Sequence, residues 1–158
     1  MANPRKIYSW NRLHPFDATF PADGTITLPV VGAQGMVPTL SPQVGMAVAI
    51  TATGTNTPQV GLGAAGNECL GKLMAVEADG SCTVQVGGVM YLPYATGTPP
   101  VPGAYVTVDG TGKVQAAGSV ATTPAVPRLT RAFCLGFDLD PEPLFSSTPA
   151  LLAVIQVG

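Results

Sequence analysis

Short apolar runs bounded by glycine and proline are the feature that most constrains this chain. It has 158 residues, of which 19 are Gly and 16 are Pro. Runs punctuated this way read as strands joined by tight turns. Val44–Ala52 is one such run. Leu70–Val76 is another, followed by the turn Ala78-Asp79-Gly80-Ser81 and then by Cys82-Thr83-Val84-Gln85-Val86. In that last stretch Cys and Val alternate with Thr and Gln, the period-2 signature of a strand with one buried face. An Asp-Gly turn between two such runs predicts a hairpin over 70–92, because Gly accepts the positive φ that tight hairpin turns require.

The same grammar recurs twice. Pro102-Gly103 turns the chain into Ala104-Tyr105-Val106-Thr107-Val108, Asp109-Gly110-Thr111-Gly112 turns it again, and Lys113-Val114-Gln115 returns. Phe133-Cys134-Leu135-Gly136-Phe137 leads through the Pro-rich loop Asp138–Pro149 to Leu151–Val157, and Ala116–Pro127 connects the second unit to the third. Cys69-Leu70-Gly71 with Val84-Gln85-Val86-Gly87 is echoed by Cys134-Leu135-Gly136 with Ile155-Gln156-Val157-Gly158. The echo has two readings, a duplicated unit or two hairpins obeying the same sheet chemistry. The expected fold is all-β, with room for one short helix. It is a small β-barrel or β-sandwich, since closing or stacking a sheet is how such a domain hides its edges.

Composition narrows the class. Charged residues are 10% of the chain and apolar ones 46%, with a net charge of −2, a balance that favours a packed chain over a disordered one. Seven basic residues against nine acidic ones give no clustered positive surface for nucleic acid. No charged residue occurs from Gly24 to Asn67, but Pro29, Pro38, Pro42 and Pro58 interrupt the region, and no run reaches the ~20 apolar residues of a spanning helix. Direct nucleic-acid binding and a membrane are therefore not expected; a surface this neutral is expected to face another protein. The first residues, Met1–Lys6, run into polar and aromatic residues rather than an apolar signal core. Cys69, Cys82 and Cys134 are odd in number, sit in apolar runs and include no CxxC pair, so buried free thiols are expected.

The segment 1–38 reads as an extended N-terminal arm, and 39–158 as the β domain. The arm lacks sustained periodicity yet holds Tyr8, Trp10, Phe16 and Phe20, four of ten aromatics, and Arg5, Lys6 and Arg12, three of seven basic residues. Aromatics and Arg dominate interface energetics, so these seven are the candidate partner contacts; the other reading is that the aromatics cap the protein's own core.

Reactive chemistry finds few parts. Gly61-Leu62-Gly63-Ala64-Ala65-Gly66 matches the dinucleotide fingerprint G-x-G-x-x-G, which has meaning only between a buried strand and a helix, with an acidic residue about 20 positions on. Upstream, Thr55–Val60 carries a Pro and almost no apolar residue; downstream, Asn67–Gly71 leads into a β hairpin, so no helix start is available. Glu77 and Asp79 meet the third condition only loosely and read as turn residues. The single histidine, His14, precedes Pro15 in the arm. Asp138, Asp140 and Glu142 have a spacing that oxygen-liking cations use, but Pro141 and Pro143 interleave them, and an exposed acidic loop is the plainer reading. No catalytic residues, cofactor or metal are expected, and the chain is not expected to be an enzyme.

Leu70-Gly71-Lys72-Leu73, Cys82–Val89, Leu92-Pro93 with Ala95-Thr96-Gly97-Thr98, Pro102–Val106 through Asp109, Gly112-Lys113-Val114, and Leu135-Gly136-Phe137 with the valine-rich terminal strand together resemble the head-decoration, or capsid cement, proteins of tailed bacteriophages. The resemblance runs from about Gly45 to the last residue. It implies a non-enzymatic virion protein, made in the host bacterial cytoplasm, that sits on the outer capsid surface. There it would bind the major capsid protein, associate with itself as a dimer or trimer, and hold neighbouring subunits against the pressure of packaged DNA. The long aromatic arm and the loop 138–149 depart from that pattern, and a tail, baseplate or fibre-associated β domain is the alternative.

Overall fold

The computed structural model describes residues 16–30, 40–51, 57–118, 132–139 and 151–157. These carry nine strands and no helix: β1 (Phe16–Pro21), β2 (Ala47–Thr51), β3 (Gln59–Gly61), β4 (Gly71–Val76), β5 (Ser81–Leu92), β6 (Val106–Val108), β7 (Val114–Ala116), β8 (Ala132–Leu139) and β9 (Leu151–Val157). The protein is all-β, as the turn-punctuated runs require, and all three expected hairpins form, as β4–β5, β6–β7 and β8–β9. The connection 119–131, the loop 140–150 and residues 1–15, 31–39 and 52–56 lie outside the described residues.

β5 organises the sheet. It is 12 residues long, and its two halves serve different partners. Residues 81–87 pair antiparallel with β1, residues 82–85 also with β4, and residues 88–92 with β9. The handover falls between two adjacent glycines: Phe16 of β1 opposes Gly87, and Val157 of β9 opposes Gly88. Gly88 has φ +89°, a left-handed conformation that costs a side-chain-bearing residue energy. The Gln85 side chain braces this step, its Nε2 donating to the carbonyls of Gly87 and Val89, both at 3.3 Å.

Each half of β5 is part of its own closed set of strands. β1, β5, β4, β2 and β3 lie side by side. The chain just after β1 closes the set, because Ala22 bridges Val60 of β3 and the Asp23 N–H donates to the Val60 carbonyl at 2.8 Å. Inside are Ile26, Val48, Val60, Leu73, Cys82 and Val84, with Phe20 packed against them. The other set runs β5, β9, β8, then crosses to the start of β6 through the Cys134 N–H on the Ala104 carbonyl (2.9 Å) and the Tyr105–Phe133 bridge. It returns from β7 to the chain after β5 through the Val114 N–H on the Pro93 carbonyl, also 2.9 Å. Its core includes Met90, Leu92, Val106, Val108, Cys134 and Ile155.

The two cores meet across β2. Ala47 and Ala49 face the second core and Val48 the first, so over 47–49 the run is apolar without alternation because both faces of the strand are covered. Small residues let neighbouring strands close on it: a Cβ on Gly71, which pairs with Val48, would collide with the Gln85 carbonyl oxygen.

Two expectations change in the structure. The residues before GLGAAG do form a strand, β3, although Pro58 precedes it. It is only three residues long and lies at the end of the strand order, the position where a neighbouring Pro is tolerated. Of the segment expected as an arm, residues 16–30 belong to the folded body. β1 is paired over all six of its residues to β5, and Ile26 is buried; covering apolar side chains in the first core stabilises this stretch enough to order it. The Cys-Leu-Gly echo is not a repeated unit. Gln85 opposes Lys72, three residues after Cys69, whereas Gln156 opposes Phe133, one residue before Cys134. A register offset of that size leaves shared sheet chemistry as the explanation.

Thr107, buried in β6, has a hydroxyl with no hydrogen-bond partner. Because an unpaired buried hydroxyl is a net cost, Thr107→Val is expected to raise stability by roughly 1 kcal/mol. Gly71→Ala is expected to lower it by roughly 1–3 kcal/mol. Chemical denaturation of both variants against the unaltered chain checks the pair, and a loss of stability in Thr107→Val would contradict this account of β6.

Candidate functional site

The structure separates the sequence-predicted contact residues. Arg5, Lys6, Tyr8, Trp10 and Arg12 lie outside the described residues. Phe16 and Phe20 are both on β1 and differ in burial. Phe20 opposes Cys82 and is half-buried against the first core, so it serves the fold, as the core-capping reading of the aromatics expected. Phe16 is 67% exposed.

The cause of that difference is a β-bulge. From Pro21 to Asp17 the register of β1 on β5 is regular, with Ala18 opposite Val84 and Asp17 opposite Gln85; then Phe16 opposes Gly87, leaving Val86 as the extra residue. Residues opposite each other in an antiparallel pair share a face. In unbroken register Phe16 would stand opposite Val86 and continue the inward series of Phe20 and Ala18. The bulge, whose extra residue is in β5, instead sets Gly87 opposite Phe16, and the missing side chain there leaves the ring uncovered.

Charge is unevenly divided along the chain. The described residues contain Asp17, Asp23, Glu68, Glu77, Asp79, Asp109 and Asp138 but only two basic residues, Lys72 and Lys113. The 15 residues ahead of Phe16 contain Arg5, Lys6 and Arg12 and no acidic residue. Among the described residues, then, acidic side chains outnumber basic ones, while the sequence ahead of β1 is basic and aromatic; Arg128 and Arg131, ahead of β8, lie outside the described residues.

Several apolar side chains besides Phe16 are exposed. Tyr105 stacks edge-to-face on Phe133, ring centroids 6.1 Å apart, while remaining 55% exposed. Leu139 and Leu151 oppose each other at the loop end of the β8–β9 hairpin, each 50% exposed. Sequence reasoning missed these. Tyr105 lies in an alternating strand pattern that does not say which face a second element will cover, and the Leu pair becomes visible only once the register is known.

The motifs that suggested chemistry occupy structural roles. After β3, Gly63 and Gly66 of GLGAAG adopt φ +71° and +88°, and the Gly66 N–H donates to the Val108 carbonyl at 2.9 Å. The loop thus turns the chain and ties it to β6, where the fingerprint would need a helix. Cys69, Cys82 and Cys134 are buried free thiols. Burial pushes Cys69 up to about 12, against a smaller opposing effect of its contact with the Gly71 carbonyl, and it raises Cys82 and Cys134 as well. Thiols held protonated in this way are poor nucleophiles. Among the described residues no group of three or more His, Cys, Asp or Glu could hold a metal ion; Asp138 is described, while Asp140, Glu142 and His14 are outside that set.

Two carboxylates organise turns. Asp79 accepts from the Ser81 N–H at 2.8 Å, and bonds from the Ser81 backbone and side chain hold its carboxyl below the usual range. At Asp109 partial desolvation acts upward. It is outweighed by the Thr111 hydroxyl and N–H (both 2.7 Å), the Lys113 N–H (3.1 Å) and the Lys113 charge, which leave the carboxyl lowered.

Compared with family models, with curated proteins and with solved structures, the chain matches none.

A lowered folded-state pKa contributes stability that is fully present above the unfolded value of 3.8 and is lost as pH falls through the folded value. The melting temperature is therefore expected to drop on acidification from about pH 5 to about pH 2, and less steeply in Asp109→Asn. Thermal melts across that range check this; parallel slopes for the two proteins would contradict a role for Asp109.

Proposed function

We propose that this protein is a virion structural protein that binds the outer surface of an icosahedral capsid and cements neighbouring capsid-protein subunits against the outward pressure of packaged DNA. The observation that carries the reading is how the anchor-rich segment joins the body. Arg5, Lys6, Tyr8, Trp10 and Arg12 precede a strand whose six residues are all paired to β5, itself the strand shared by both closed sets. A pull on the segment is then borne by several ladder hydrogen bonds together rather than by one loop.

The strand and turn pattern that resembles decoration proteins supports the same reading, since its hairpins are formed as that pattern implies. In this reading the basic residues pair with capsid carboxylates, and Tyr8, Trp10 and Phe16 fill apolar pockets. Cementing needs only binding free energy, repeated over many copies so that weak single contacts sum to a strong one. Self-association as a dimer or trimer, the usual closed symmetry for a small homo-oligomer, would place several such segments around one axis. The reading uses no cofactor, nucleic acid or membrane, and no catalysis.

The test is co-sedimentation with purified expanded capsids. The full chain is expected to saturate the shells, and a chain beginning at Phe16, which keeps β1 and is expected to melt as the full chain does, to bind at least tenfold more weakly, on the order of the loss of one or two interface hot spots. Equal occupancy by the two would overturn the reading, and binding to tails in place of shells would favour the tail-associated alternative.

A further inference from the structure

We infer that the outer edge of β1 is the surface through which this protein pairs with a second copy of itself, the two β1 strands running antiparallel about a two-fold axis at Ala18. The inference does not use the capsid reading. It goes beyond that reading by choosing the dimer over the trimer and by naming the interface.

The first observation is an open sheet edge. β1 is paired to β5 on one side over all six of its residues. The Ala22 N–H continues on that side, donating to the Gly80 carbonyl, whereas the Asp23 N–H points the other way, to the Val60 carbonyl. Backbone groups alternate in direction along a strand, so the N–H and C=O of Asp17 and Thr19 face away from β5. No strand among the described residues pairs with them there: β3 bridges the chain only after β1, at Ala22, and Pro58, just ahead of β3, has no N–H to extend that pairing. Asp17 and Thr19 are both exposed. An edge with unpaired backbone groups is a template for another strand.

The second observation selects the occupant. Residues 15–21 read Pro-Phe-Asp-Ala-Thr-Phe-Pro, nearly the same in both directions, and two antiparallel copies of such a sequence match each other along their length. With Ala18 opposite Ala18, Asp17 of each copy stands opposite Thr19 of the other, and every outward N–H and C=O of these residues finds a partner. Phe16 stands opposite Phe20 of the second copy, at a position without ladder bonds, where side chains lie closest. Aromatic cross-strand pairs are favourable, and the small Ala18 pair leaves room between them. The Phe16 ring, 67% exposed in one copy, is thereby covered, which leaves Tyr8 and Trp10 as the aromatic contacts of the functional reading. At each end a Pro, lacking an N–H, stops the ladder. Moving the axis to Asp17 sets like charges opposite each other; moving it to Thr19 sets Asp17 against Pro21, beside which β3 already lies. Of these registers the one at Ala18 uses the whole edge.

Sedimentation equilibrium of the full chain over a concentration series tests the inference. Two short edges bury well under the ~1,200 Å² of stable complexes, so a weak, concentration-dependent dimer is expected. Thr19→Pro removes an outward N–H but no bond to β5; it is expected to melt with the unaltered chain and to raise the dimer Kd by about tenfold or more. Thr19→Asp, which sets carboxylates opposite each other in this register, is expected to weaken the dimer similarly, and adding Asp17→Lys to it is expected to restore the dimer. Should Thr19→Pro melt lower, the charge variants, which leave the backbone unchanged, carry the decision. A chain that stays monomeric at the highest concentration, a trimer, or a dimer that Thr19→Asp leaves intact would overturn the inference. A double variant no better paired than Thr19→Asp alone would overturn the register at Ala18. None of these results bears on capsid binding, which the co-sedimentation test reads separately.

Discussion

Everything in this fold depends on one strand being able to serve two sets of neighbours. β5 is paired to β1 and β4 before Gly87 and to β9 after it. The change of partner is possible because two residues without side chains meet there, the second in a conformation that favours glycine. The buried Gln85 amide, bonded to carbonyls on either side of Gly88, fixes the bend in place. From this step follow the two cores, with β2 between them. A straight β5 would extend one flat sheet and leave its edges open to pairing with other chains.

Much of this was legible in the sequence, and the physical reasons are particular. The Asp79-Gly80 and Asp109–Gly112 turns announced their hairpins because carboxylate caps and positive φ are local requirements, satisfied within a few residues. The burial of Cys82 and Val84 showed in their alternation with Thr83 and Gln85, and the apolar run from Val44 showed β2 as a strand, though not that its residues 47–49 are covered on both faces. What stayed hidden was long-range. β1 has its own alternation in Phe16-Asp17-Ala18-Thr19-Phe20, but it is short and flanked by Pro15 and Pro21, and only the β5 edge shows that it is a strand. Likewise the Cys-Leu-Gly echo looks like a repeat until the registers are compared and found to differ.

The candidate site divides in the same way. Residue type pointed to Phe16 and Phe20 alike, because both are aromatic residues in a basic segment. A single-residue irregularity in β5, with Val86 as the extra residue, is what sets a glycine opposite Phe16 and leaves its ring exposed, while Phe20, opposite Cys82, packs on the core. No periodicity in β1 reports that, since the bulge lies in the partner strand. The GLGAAG loop shows the reverse. A motif complete at the level of letters has its glycines used for turning the chain between β3 and β4 and for bonding to β6.

The functional account joins these points: a charge-poor, hydrogen-bonded body with inert buried thiols, and a basic aromatic segment fastened to it through β1 at a corner floored by glycine. On a capsid each copy would add a modest binding energy, and the shell would gain strength from the number of copies. The most direct measurement is a cryo-electron-microscopy reconstruction of expanded capsids saturated with the full chain. The account expects added density on the outer surface, spanning neighbouring capsid subunits, with the N-terminal end of β1 turned toward the shell. A saturated sample with no density on the outer surface, or with the N-terminal end of β1 turned to solvent, would contradict it.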